Sequence, residues 1–119
     1  MTISVTIYHN PRCTKSRQTL ELLRQHNVEP QVVQYLETPL SATELKRLVR
    51  MLGIDAAELL RTKEKLFREV FPEGTPSDAQ AISLMAEHPR LMERPIVVVG
   101  DKAAIGRPPE NILPLLQSQ

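Results

Sequence analysis

The chain carries a single cysteine, Cys13, in the run His9-Asn10-Pro11-Arg12-Cys13-Thr14-Lys15-Ser16. A thiol attacks as its thiolate, and at an ordinary pKa of about 8.5 only about 3% is ionised at neutral pH. A reactive cysteine therefore needs positive surroundings. A helix N-terminus offers unpaired N–H groups and the positive end of the dipole, worth roughly 0.3–1 kcal/mol, less than one pKa unit. Arg12, Lys15 and Arg17, together with a protonated His9, would supply more. A lone cysteine is commonly a small buried hydrophobe, but these polar, cationic neighbours point to a functional thiol. Ser16, three residues on, either bonds the thiolate or satisfies N–H groups at the helix start. Because no second cysteine exists, a mixed disulfide at Cys13 has to be resolved by an outside thiol. The same surroundings would hold an oxyanion. Arginine suits that task through its bidentate donors, and Arg61, Arg94 and Arg107 stand at element ends, although each taken singly reads as a solvated cation.

The elements that must position these groups are legible in the hydrophobic pattern. Ile3, Val5 and Ile7 alternate with Thr2, Ser4 and Thr6 and predict a strand closed by Tyr8. Leu20, Leu22 and Leu23 within Thr14 to Asn27 predict an amphipathic helix, and Val32, Val33, Tyr35 and Leu36 a second strand before Pro39. A crossover helix makes the two strands parallel. Capping-box spacing at Ser41/Glu44, Asp55/Glu58 and Ser77/Gln80 predicts three short helices. Ile96 to Val99, Gly100-Asp101 and Ala103-Ala104-Ile105 read as a hairpin, and Pro108 or Pro109 opens a last helix that Pro114 limits. The resulting fold class is α/β, a thioredoxin-like mixed β-sheet of β-α-β, a helical insertion over about 41–90, and β-β-α. Cys13 then falls at the first strand-to-helix turn.

Composition limits the partners. The 119 residues suit one domain, 1–119. A net charge of +1 exerts no general pull on nucleic acid or anionic lipid. Lys46, Arg47 and Arg50 along one helix read as a solvated face in a chain with two Tyr, two Phe and no Trp. His9, His26 and His88 lack ligand spacing, so no metal site is expected. Neither a signal-peptide pattern nor a bilayer-length apolar run is visible, which predicts a cytoplasmic protein with no membrane association.

His9-Asn10-Pro11-x-Cys13, Tyr35-Leu36-Glu37-Thr38-Pro39, Leu59-Leu60-Arg61, His88-Pro89 with Arg94-Pro95-Ile96-Val97-Val98, and Arg107-Pro108 occur in this order. Together they resemble the glutathione- and glutaredoxin-dependent arsenate reductase family over nearly the whole chain. The resemblance implies an enzyme, an oxidoreductase in which Cys13 attacks arsenate while Arg61, Arg94 and Arg107 bind the oxyanion. Glutathione as co-substrate then displaces the enzyme-bound arsenic, and glutaredoxin resolves the mixed disulfide to release arsenite, with no bound cofactor. It also implies that His9 helps keep the cysteine ionised, against the plainer role of a turn residue. Arg94-Pro95 matches the position where thioredoxin-like domains carry a cis proline facing the cysteine. Two other functions fit parts of the sequence. A general glutathione-linked thiol-disulfide oxidoreductase needs Cys13 but not three arginines, and a redox-linked regulator that binds RNA polymerase would sense oxidation through a CxxC pair, which Ser16 removes here.

Overall fold

The alternation expected near the N-terminus forms β1 (Val5–Tyr8), with Val5 and Ile7 buried. A computed structural model describes residues 4–117 of the chain, so the proposed strand position of Ile3 lies outside the described residues. α1 (Thr14–Gln25) follows, and its buried residues Ser16, Thr19 and Leu23 lie on one side of the helix. β2 (Gln31–Val33) pairs parallel with β1, in the register Ile7 opposite Val32. This strand is shorter than the apolar run predicts. His9 N–H takes the Val33 carbonyl, and the Gln34 carbonyl then accepts from both Glu37 and Thr38, so Tyr35 and Leu36 enter a turn. Tyr35 is nevertheless buried there, and burial rather than strand pairing accounts for its apolar character.

The chain divides into two compact units, Met1–Thr38 with Arg94–Gln119, and Pro39–Glu93. In the first, β3 (Ile96–Val99) pairs antiparallel with β1 and with β4 (Lys102–Ile105), giving the four-strand order β2-β1-β3-β4. Gly100, at φ 62°, opens the two-residue turn of the β3–β4 hairpin, a conformation that glycine adopts without a Cβ penalty. The expected last helix begins as a 3-10 turn (Pro109–Ile112) and continues as α5 (Leu113–Gln117). Pro114 falls in the first turn of α5, where its missing N–H costs nothing. Val5, Ile7, Leu23, Val97, Val99, Ile112 and Leu115 form one buried cluster joining sheet, α1 and the C-terminal helix. A mixed sheet entered by β-α-β and completed by β-β-α is the thioredoxin-like arrangement.

In the second unit, α2 (Ala42–Leu52) and α4 (Asp78–Glu87) each start with a complete capping box, Ser41 with Glu44 and Ser77 with Gln80. Each box satisfies donors that a helix start otherwise leaves open. Gly53, at φ 69°, ends α2. The third expected box does not form: Asp55 makes no side-chain cap bond, and Ala56–Leu59 is a 3-10 turn in which Glu58 N–H bonds the Asp55 backbone carbonyl. Leu60 next to it bridges antiparallel to Met92, which draws the chain out of a helical path. α3 (Lys65–Val70) was not expected; only Phe67 of its six residues is buried, too little to write an apolar stripe.

Candidate active site

The first unit places Cys13 where β1 hands over to α1. Asn10 Oδ1 accepts from Arg12 N–H at 3.0 Å, and Cys13 N–H bonds the Asn10 carbonyl at 3.0 Å, so the loop is closed by its own polar groups. Cys13 is the N-cap residue of α1 with an extended backbone, and its carbonyl accepts from Arg17 N–H at 3.0 Å. Its side chain makes no capping hydrogen bond, so the thiol stands at the start of α1 beside the N–H groups of the first turn. Arg17 crosses the loop, donating through Nη1 to the Pro11 carbonyl at 2.8 Å and through Nη2 to Thr14 Oγ1 at 3.2 Å.

Cys13 is 8% exposed. Burial alone pushes a thiol upward, but the backbone N–H of Ser16, the Arg94 guanidinium, the backbone N–H of Lys15 and the Arg107 guanidinium all favour the anion. The balance leaves the thiol below its ordinary value. Arg107 Nη2 lies 3.7 Å from Sγ, while its Nε donates to the Arg94 carbonyl at 2.7 Å. Thus Arg94 contributes twice, through its charge and through the carbonyl that orients Arg107. Nε and Nη1 of Arg94 are buried. Both Arg94-Pro95 and Arg107-Pro108 are cis; the second was not anticipated.

Ser16 and His9 are hydrogen-bonded to each other. His9 is buried, with Nδ1 2.6 Å from Ser16 Oγ, and the same oxygen accepts from Asn10 N–H at 3.0 Å. Burial and the nearby charges of Arg24 and Arg17 hold the imidazole below its ordinary value. It is therefore neutral at neutral pH, and a protonated His9 is not among the cations serving Cys13. Ser16 Oγ thus joins the His9 ring to the Asn10 backbone N–H. Ser16 reaches the thiolate through its backbone N–H, not its side chain.

Around these groups the structure recruits residues that motif reading passed over. Gly106 N–H bonds the Pro95 carbonyl at 2.8 Å, tying together the two segments that carry Arg94 and Arg107. A Cβ on Gly106 would stand 2.5 Å from Thr19 Oγ1 and 2.9 Å from Pro95 Cγ. Asn111 Nδ2 donates to the Arg107 carbonyl at 2.9 Å. Neither residue bears a sequence signal, because each matters only once β4 has been laid beside α1. Asn10-Pro11 did carry one, as a turn dipeptide. Arg61 stands in the second unit, where its N–H bonds the Leu91 carbonyl at 2.7 Å and its guanidinium pairs with Glu64 and Glu93. Among the described residues, no group of three His, Cys, Asp or Glu side chains could hold a metal ion. No helix among them is long and apolar enough to cross a membrane.

A thiolate favoured by two guanidinium charges and by helix N–H donors can attack an electrophilic oxyanion, since the cations offset the repulsion between anions. Comparison with known proteins bears on which one. The family model described as ArsC family matches residues 8–115. The chain is 52% identical over 118 residues to the uncharacterized protein YfgD of Escherichia coli K12, covering 98% of this chain and 99% of that protein. It is 44% identical over 116 residues to an arsenate reductase of Haemophilus influenzae, covering 96% and 100% respectively. The solved structure of an arsenate reductase from Vibrio cholerae superposes with a TM-score of 0.92 at 48% identity, covering 97% of this chain and 99% of that one.

Proposed function

Because the chain belongs to the ArsC family, we propose that it is an arsenate reductase, an oxidoreductase that uses Cys13 as nucleophile and glutathione with glutaredoxin as reductants. The observation that carries this reading is the Arg107 guanidinium 3.7 Å from the sulfur of the chain's single cysteine. The Cys13 thiolate attacks arsenic, forming an As–S bond as one oxygen leaves, protonated, as water. Two electrons then come from outside thiols. In sum, arsenate and two thiols give arsenite, one disulfide and one water. The absence of a second cysteine makes the external supply obligatory.

Arg94 and Arg107 have complementary parts in this scheme. Both favour the thiolate before attack, and both can take charge from arsenate oxygens as the As–S bond forms. The resemblance adds Arg61 to the oxyanion set, for which its pairs with Glu64 and Glu93 would have to yield. His9, neutral and bonded to Ser16, supports the first turn of α1. A soluble, cytoplasmic setting supplies the thiols.

The test is a coupled assay with arsenate, glutathione and glutaredoxin. Arsenite formation should require Cys13 and fall sharply in Arg94→Ala. Thiol exchange that proceeds without arsenate and survives loss of Arg94 would instead identify a general glutathione-linked oxidoreductase.

A further inference from the structure

Arg107 brings its charge to Cys13 from just past the end of β4, on a stretch of chain with little regular backbone to hold it. Gly106 precedes it, and Pro108 and Pro109 follow. Neither proline has an N–H to give, so the Arg107 carbonyl finds no donor on the two residues after it. A long side chain on a loose backbone spreads its guanidinium over many positions, and the attraction it exerts on a thiolate falls with distance.

Contacts on both sides of Arg107 remove that freedom. On the N-terminal side, Gly106 N–H bonds the Pro95 carbonyl at 2.8 Å. Gly106 also lies so close to α1 that a Cβ would meet Thr19 Oγ1 at 2.5 Å. Thr19 is fully buried, and its hydroxyl donates to the Lys15 carbonyl at 2.8 Å, within the helix that Cys13 caps. On the C-terminal side, Asn111 Nδ2 donates to the Arg107 carbonyl at 2.9 Å, and Asn111 N–H bonds the Pro108 carbonyl at 3.0 Å. The 3-10 turn that carries Asn111 is fixed in its turn by the next residue, Ile112, which is buried in one cluster with Leu23 of α1. From this frame the guanidinium spans the Arg94 carbonyl, 2.7 Å from Nε, and Cys13 Sγ, 3.7 Å from Nη2.

We propose that Asn111 is a positioning residue for the thiol: its side-chain amide supplies the donor that the two prolines cannot, and so fixes the backbone from which Arg107 reaches Cys13. Thr19 and Gly106 hold the other side of the same residue. Asn111 is exposed, so replacing it leaves the core intact, and its effect on the sulfur passes through Arg107. A residue that only closed the 3-10 turn would alter stability and leave the thiol as it is.

The test follows alkylation of Cys13 by iodoacetamide across a pH series in the full chain, with urea unfolding of each variant. The thiolate is favoured by the guanidinium groups of Arg94 and Arg107 and by the N–H groups of Ser16 and Lys15, and only the Arg107 share depends on Asn111. Asn111→Ala should raise the midpoint, lowering the thiolate-to-thiol ratio at a given pH by about two- to fivefold, the scale of one hydrogen bond open to water. Asn111→Leu, similar in size but without a donor, should do the same. In an Arg107→Ala background both substitutions should leave the midpoint where Arg107→Ala alone puts it, the non-additivity of residues that act through one group. An unchanged midpoint in folded Asn111→Ala, wild-type behaviour of Asn111→Leu, or an equal shift with and without Arg107 overturns the proposal. The inference rests on Cys13 as the nucleophile and does not require arsenate as the substrate, so arsenate turnover of the unsubstituted chain separates the two readings. Turnover with no Arg107-dependent shift keeps the reductase and removes the role of Asn111, whereas the shift without turnover does the reverse.

Discussion

Replacing Arg107 with alanine removes a guanidinium nitrogen 3.7 Å from Cys13 Sγ. For unit charges at that separation, Coulomb's law gives about 1 kcal/mol in a water-like medium and about 4 kcal/mol at the effective dielectric near a protein surface. Removing the side chain also lets water approach the sulfur and return part of the lost solvation, which places the expected cost near the lower bound, about 1–2 kcal/mol. The thiolate-to-thiol ratio at a given pH should then fall by about 5- to 30-fold. Iodoacetamide alkylation across a pH series reads this directly. The midpoint is the appropriate measure, because a more basic thiolate is intrinsically more nucleophilic and partly masks the change at any single pH. Arg107→Lys restores a charge but not the fork that reaches both the Arg94 carbonyl and Sγ, so it should recover only part of the shift. An unchanged midpoint in Arg107→Ala, with circular dichroism showing an intact fold, would refute the electrostatic account of the site.

Buried His9 titrates below its ordinary value, so the unfolded chain takes up the proton first as pH falls; its contribution to stability is full above about pH 6.5 and declines below it. Urea unfolding should show that extra loss in the wild type and a shallower slope in His9→Asn, and parallel slopes would count against a neutral buried imidazole. Gly106→Val should destabilise by about 1–3 kcal/mol, since even a Cβ would lie 2.5 Å from Thr19 Oγ1; adding Thr19→Ala should return part of the lost denaturation midpoint. Ser41→Ala and Ser77→Ala, which open complete capping boxes, should each cost about 1 kcal/mol in denaturant titrations, whereas Asp55→Ala, which removes no cap bond, should cost far less.

Local pattern was sufficient for much of this molecule. The period-two run ending at Tyr8, the leucines of α1, the boxes at Ser41 and Ser77 and the Ile96–Ile105 hairpin are all written within short windows, where side-chain spacing and backbone chemistry act directly. The same holds for Cys13 as a thiol at a helix start: the turn dipeptide, the cations and the missing second cysteine are neighbours in the chain. Where a window offered two outcomes, packing chose. Tyr35 and Leu36 had strand-like character, but after Val33 the Gln34 carbonyl closed a turn, and Asp55 lost its cap when Leu60 bridged to Met92.

What the sequence by itself determined is a single thiol at a helix start, among cations and with no second cysteine to pair with, because these follow from composition and from neighbours a few bonds away. Only the tertiary structure decided how the thiol is ionised. Arg107 is 94 positions from Cys13 and reaches it because Gly106 and the Arg94 carbonyl set its course. His9, four positions from Cys13, lends no charge, because burial and the fields of Arg24 and Arg17 keep its ring neutral. Electrostatic effects depend on distance and desolvation in space, and sequence separation reports neither.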